Sequence, residues 1–193
     1  MNTPNKLTIA RIIATPFFMA ALMIEFPFHY TVALILFIAA SLTDMIDGKM
    51  ARKYNMITDF GKFLDPLADK MLTTAAFLGF IKMGIGWQVP WIAFIVLFRE
   101  FLISSLRLVV VSSGGKVIAA NMWGKCKTVS QMAGIILALF AYVLISDFGI
   151  NNVVFVSVCN IIISILFWAS AVLCIISGAI YLKDSKEYID PSK

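Results

Sequence analysis

Histidine occurs once in this chain and cysteine three times, and neither forms a pattern. His29 stands alone at an expected loop, which argues against a metal or acid–base role for it. Cys126, Cys159 and Cys174 are scattered among apolar residues without paired spacing. That distribution fits neither a metal cluster nor a disulfide framework and leaves them as packing residues. Charge is also scarce: Asp, Glu, Lys and Arg make up 14% of the residues, against roughly 25% in an ordinary soluble domain. No stretch is polar enough to form a separate soluble domain, and there is no internal repeat or low-complexity tract. The apolar run Ile12–Ile24 lacks the small-residue cleavage site of a signal peptide and reads as a first membrane span.

What fills the chain is apolar: 61% of it is hydrophobic, with a mean hydropathy of +0.91. Its 193 residues leave room for six spans of ~20 residues joined by short connections. Candidate spans fall at 7–26, 30–52, 60–83, 88–111, 126–146 and 152–182, interrupted by EFPFHY, KYNMITDF, GIGWQVP, SSGGKVIAANMWGK and SDFGINN. Segments of that length in lipid must satisfy their backbone hydrogen bonds internally, so they are helices. The expected fold is an all-α integral membrane protein, six transmembrane helices in one bundle, with residues 1–193 as a single domain.

Orientation follows from the cations. With the N-terminus in the cytoplasm, the inner ends and loops collect Lys6, Arg11, Lys49, Arg52, Lys53, Lys62, Lys70, Arg107, Lys116, Lys125, Lys127, Lys183, Lys186 and Lys193, whereas the outer side holds only Lys82. The expectation is a multi-pass protein of the plasma membrane with both termini cytoplasmic. The net charge of +5 reflects this bias and attraction to anionic lipid, so it calls for no nucleic acid.

The segment from Asp44 to Lys70 then lies at the inner face and holds Asp44, Asp47, Asp59, Asp65 and Asp69, five of the eleven acidic residues. Asp44 and Asp47 are three apart and Asp65 and Asp69 four apart, so each pair occupies one helix face, and two neighbouring helices can aim all four carboxylates at one point. Bare carboxylates so arranged repel one another; a divalent cation removes the conflict. All-oxygen ligands suit Mg2+ or Mn2+, and four carboxylates can hold two ions. Gly48, Ala51 and Gly61 extend these faces with little or no side chain, which suits either a bulky ligand near the backbone or close helix packing. Asp59, following Thr58, reads as part of a helix cap.

The pattern is D-x-x-D-G-x-x-A-R, eight residues, then G-x-x-x-D-x-x-x-D, realised as Asp44, Asp47, Gly48, Ala51, Arg52, Gly61, Asp65 and Asp69. It resembles, at every fixed position, the signature of the CDP-alcohol phosphotransferase family. The resemblance implies a six-helix membrane enzyme, commonly a homodimer, that moves a phosphatidyl group or a phosphoalcohol from a CDP-linked donor onto a hydroxyl and releases CMP. It implies that the four aspartates hold two divalent cations and that Asp69 is the base. It also implies that Asp47, Gly48, Ala51, Arg52 and Gly61 surround the nucleotide. The residue types suit the reaction: displacement at an anionic phosphorus needs cations on its oxygens and a carboxylate to take the hydroxyl proton.

PNKLTIAR at Pro4–Arg11, REFLISSLR at Arg99–Arg107 and GKCKT at Gly124–Thr128 resemble stretches of the phosphatidylglycerophosphate synthase branch of that family. For that branch the donor is CDP-diacylglycerol and the acceptor glycerol 3-phosphate. Arg99 and Arg107 share a face of the expected fourth helix, and Lys125 and Lys127 begin the fifth; together they form a candidate pocket for the acceptor phosphate. Arg107, Lys125 and Lys127 also read as topogenic charges. Arg99 lies deep in an apolar run and should face the bundle interior, either contacting substrate or paired with Glu100 of a neighbouring chain or with an acidic residue of the site. Two readings compete: the same chemistry with inositol phosphate, serine or phosphatidylglycerol as acceptor, and a divalent-cation transporter, for which Arg52 beside the ion path has no use.

Overall fold

The computed structural model describes residues 2–53, 58–112, 122–150 and 152–186. It contains six α-helices: α1 (Thr3–Met23), α2 (His29–Lys53), α3 (Asp59–Met83), α4 (Val89–Ser112), α5 (Met122–Tyr142) and α6 (Val153–Asp184), with a π-helical turn, Val143–Asp147, extending α5. No strand occurs among the described residues.

Local chemistry marks the ends. The Asn2 side chain accepts from Asn5 N and caps α1, with Pro4 in the first turn where its missing N–H is harmless. Thr58 caps α3 by accepting from Gly61 N, so the cap is Thr58, and Asp59 is the first helical residue. Gly84, at φ 67°, ends α3 in the left-handed conformation that favours glycine. Asn152 accepts from Val154 N and Phe155 N to begin α6.

The helices close into a ring. Each packs chiefly on two others, in the order α1, α3, α4, α6, α5, α2 and back to α1. Its centre is filled by Phe18, Phe37, Phe77, Phe80, Ile135, Leu139 and Phe167, all at most 1% exposed. Phe77 and Phe80 meet Phe167 with ring centres 5.4 and 5.8 Å apart. Small residues permit the closest approaches: a Cβ on Gly79 would lie 2.5 Å from Leu22 and one on Gly134 2.8 Å from Phe167.

The outside of the ring is apolar. Phe94, Phe98, Phe101 and Leu108 form one outward row on α4, and Val153, Ile161, Ile165 and Ile175 are exposed along α6. In water such a surface would be anomalous; against lipid it is the expected one. Four segments, Thr3–Met23, His29–Ile46, Met122–Asp147 and Val153–Asp184, are long and apolar enough to cross a membrane. The other two helices, α3 and α4, have 25 and 24 residues but carry ionic side chains partway along. The chain is an all-α integral membrane protein.

Candidate active site

α1 presents a polar stripe in an otherwise greasy helix. Asn5, Thr8, Arg11 and Thr15, spaced three or four apart, are 6%, 1%, 2% and 4% exposed. Three of them reach the helices that carry the aspartates. Asn5 Nδ2 donates to Thr58 Oγ1 at 2.9 Å, and a Cβ on Gly61 would lie 2.8 Å from Asn5 Oδ1, so close packing of α1 on α3 occupies the space beside Gly61. Thr8 Oγ1 donates to Asp65 Oδ1 at 2.9 Å. The Arg11 guanidinium pairs with Asp44 Oδ1; its own side chain is 1% exposed, whereas that of Asp44 is 50% exposed. α1 is in contact with both α2 and α3, which touch one another only slightly.

Asp47, Ala51 and Arg52, expected beside the nucleotide, belong to α2, and their side chains lie outside those described. The same holds for the side chains of Lys49, Lys53, Asp59 and Lys62, and Lys116 and Lys193 lie outside the described residues altogether. Among the described residues no three His, Cys, Asp or Glu side chains come close enough to share a metal ion. Asp44, Asp65 and Asp69 are all exposed at the same end of the ring.

Asp69 opens onto something else. With Lys70 and Thr73 of α3, Arg99, Glu100 and Arg107 of α4, and Lys127, Thr128 and Gln131 of α5, it lines a cavity of about 160 Å³. The candidate base and three of the four candidate phosphate ligands thus share one space. At its centre is Glu100, whose Oε1 accepts from Arg99 Nη1 at 2.9 Å and from Lys127 Nζ at 2.8 Å. Arg99 Nη2 donates to Ser177 Oγ on α6 at 2.7 Å. Lys70 Nζ donates to Ser104 Oγ and, at 3.4 Å, to the Glu100 carbonyl. The Arg107 guanidinium lies over the Tyr181 ring, 5.9 Å from its centre.

Two expectations change. Arg99 faces the interior as its depth predicts, but its carboxylate is Glu100 of its own chain, the next residue along. Lys125 is exposed and takes no part in the cavity. It stands two positions before Lys127, which turns it about 200° around the helix. The residues that sequence reasoning missed are Asn5, Thr8, Gln131 and Ser177, and Glu100 was expected only as a partner from a neighbouring chain. The stripe of Asn5, Thr8, Arg11 and Thr15 carried a visible signal, polar residues at helical spacing within an apolar run. Ser177 carried none.

A family model described as CDP-alcohol phosphatidyltransferase matches residues 1–176. Among curated proteins, the chain is 36% identical over 203 residues to a CDP-diacylglycerol–glycerol-3-phosphate 3-phosphatidyltransferase of Bacillus subtilis (strain 168), covering 99% of this chain and 98% of that one. It is 39% identical over 191 residues to the protein of the same name in Rickettsia bellii (strain RML369-C), covering 97% of each. To the one in Haemophilus influenzae it is 34% identical, covering 96% of this chain and 94% of the relative.

Proposed function

The chain belongs to the CDP-alcohol phosphatidyltransferase family, and from that premise we propose that it transfers the phosphatidyl group of CDP-diacylglycerol to sn-glycerol 3-phosphate, giving phosphatidylglycerol phosphate and CMP. The observation that carries the choice of acceptor is the cavity in which Asp69 meets Arg99, Arg107 and Lys127. A phosphate monoester needs such a basic lining and zwitterionic serine gives less reason for it, while the name shared by the relatives favours glycerol 3-phosphate over inositol phosphate.

In this reading the acceptor phosphate binds Arg107 and Lys127, with Arg99 fixed behind them by Glu100 and Ser177. A glycerol hydroxyl then faces Asp69, whose carboxylate takes its proton. The oxygen forms a bond to the phosphatidyl phosphorus as the bond from that phosphorus to the CMP oxygen breaks, in one displacement. Asp47, Gly48, Ala51 and Arg52 stand toward the nucleotide, whereas Gly61, expected there too, is packed against Asn5 of α1.

The donor set suits a hard divalent cation: it is all oxygen, and α1 engages Oδ1 of Asp44 and of Asp65, which leaves Oδ2 of each as a ligand. Two ions, Mg2+ or Mn2+, held by Asp44, Asp47, Asp65 and Asp69, would neutralise the pyrophosphate oxygens of the donor. The protein works as a homodimer in the plasma membrane, with both termini and the site on the cytoplasmic side, where a soluble acceptor and a lipid-anchored donor meet.

The test is CMP release by the purified protein in lipid, with CDP-diacylglycerol and a panel of glycerol 3-phosphate, inositol phosphate, serine and phosphatidylglycerol. Release should require glycerol 3-phosphate and stop when EDTA removes the cation. Turnover with another member of the panel in its place overturns the acceptor assignment, and absence of CMP release under every condition overturns the enzyme reading. Crosslinking in native membranes tests the dimer.

A further inference from the structure

Among the described residues that line the cavity, two buried side-chain atoms have no hydrogen-bond partner, Arg99 Nε and Gln131 Oε1, and only the second is an acceptor. The Arg99 Nη atoms, Glu100 Oε1, Lys127 and Lys70 pair with one another or with Ser104 and Ser177. The hydroxyls turn back on their own helices, Thr73 Oγ1 to the Asp69 and Lys70 carbonyls and Thr128 Oγ1 to the Gly124 carbonyl. Gln131 does neither. It is 3% exposed, it lines the cavity, and its Oε1 is buried with no hydrogen-bond partner. A buried amide oxygen without a donor destabilises the empty site, and the imbalance disappears when a ligand brings a donor.

The ligand's chemistry narrows what that donor is. A phosphate dianion has only acceptor oxygens, so it cannot satisfy Oε1. The hydroxyl that reacts gives its proton to Asp69. Glycerol 3-phosphate carries one further hydroxyl, on its middle carbon, and Gln131 Oε1 is the buried acceptor of the cavity that lacks a donor. Gln131 lies one helical turn beyond Lys127 on the same face of α5, about 6 Å along the axis, a separation of the size of a three-carbon phosphoester. A hydroxyl also suits an amide from either end, since it donates to the carbonyl and accepts from the NH2.

We propose that Gln131 is a specificity-determining residue that reads the non-reacting middle hydroxyl of the acceptor. The inference rests on the acceptor assigned above. It makes selectivity a matter of the amide rather than of the cations, which bind any phosphate monoester alike.

The experiment compares glycerol 3-phosphate with 3-hydroxypropyl phosphate, which lacks only the middle hydroxyl, by the kcat/KM for CMP release in lipid. The wild-type protein should prefer glycerol 3-phosphate by at least about tenfold, because a site built to hydrogen-bond a hydroxyl rejects the analogue without it. Gln131→Met has similar volume and no acceptor of comparable strength. It should lose most of its efficiency with glycerol 3-phosphate, keep that with the analogue, and so bring the ratio close to one. A ratio of efficiencies cancels differences in folded fraction. Where the methionine variant does not fold, Gln131→Asn, with the amide retracted by one carbon, must narrow the ratio instead. Preservation of the wild-type ratio in a folded variant overturns the proposal, as does an equal loss with both acceptors. A wild-type protein that uses glycerol 3-phosphate but does not discriminate overturns the role of Gln131 alone, whereas one that uses neither phosphate overturns the acceptor assignment as well.

Discussion

Thr8 commits one hydroxyl to Asp65 Oδ1 from a position that is 1% exposed. Such a donor fixes the rotamer of a carboxylate and with it the direction of the oxygen left for a cation. Thr8→Val keeps the shape and removes the donor. The concentration of Mg2+ or Mn2+ for half-maximal CMP release should rise by about tenfold, with less effect at saturating metal, and Thr8→Ser should restore it. Unchanged metal dependence in the valine variant would remove Thr8 from the site. Asp69 makes a different demand, because in the proposed reaction its carboxylate takes the hydroxyl proton. Asp69→Asn keeps a ligating oxygen but cannot take a proton at neutral pH. Turnover should fall by at least about a hundredfold while binding of CDP-diacylglycerol, measured by isothermal titration in nanodiscs, survives. Turnover within a few-fold of wild type would assign the proton to another group.

At the scale of elements, Gly134 sets how closely α5 and α6 approach. A Cβ there would stand 2.8 Å from the ring of Phe167, which is itself 0% exposed and wedged against Phe77 and Phe80, so the ring has nowhere to go. Gly134→Ala should therefore destabilise the protein by about 1–3 kcal/mol, read as a lower melting temperature in detergent. A melting temperature equal to wild type would mean that the helices part without strain. The helices themselves were legible in the sequence because long apolar runs in lipid admit little else. Their ends shifted where polar residues do capping work: α1 begins at Thr3 rather than at 7, since Asn2 and Pro4 start a helix that a hydropathy reading takes for a tail. The spacing of Asp44, Asp65 and Asp69 put them toward one end of two helices, and the structure has them exposed at one end of the ring. Three features were not legible. A pair of charges close in sequence, Lys125 and Lys127, separates on a helix. Neighbours in sequence, Arg99 and Glu100, normally diverge by about 100° and meet here through the reach of the arginine. The placing of α1 against both aspartate helices depends on the ring order, which no local pattern encodes.

The whole molecule is polarised along its helices, and its orientation can be tested apart from any chemistry. The N-terminal end of α1, the C-terminal ends of α2, α4 and α6, and the N-terminal ends of α3 and α5 carry Lys6, Arg11, Arg107, Lys125, Lys127, Lys183 and Lys186 together with Asp44, Asp65 and Asp69. At the other end Lys82 donates to the Met23 carbonyl at the end of α1, and Trp87, 66% exposed, lies in the connection between α3 and α4. Membrane insertion retains clustered lysine and arginine in the cytoplasm, so the aspartate end should face inward. In a background with Cys126, Cys159 and Cys174 replaced, single cysteines at Trp87 and at Lys183 report the two ends. A membrane-impermeant maleimide added to intact cells should label the Trp87→Cys variant and leave the Lys183→Cys variant unlabelled until the membrane is opened. Labelling of Lys183→Cys in intact cells would put the aspartates outside, away from cytoplasmic glycerol 3-phosphate. It would overturn the cytoplasmic site even if the purified protein released CMP, because the reaction needs its soluble acceptor and its cations on the same side as the carboxylates.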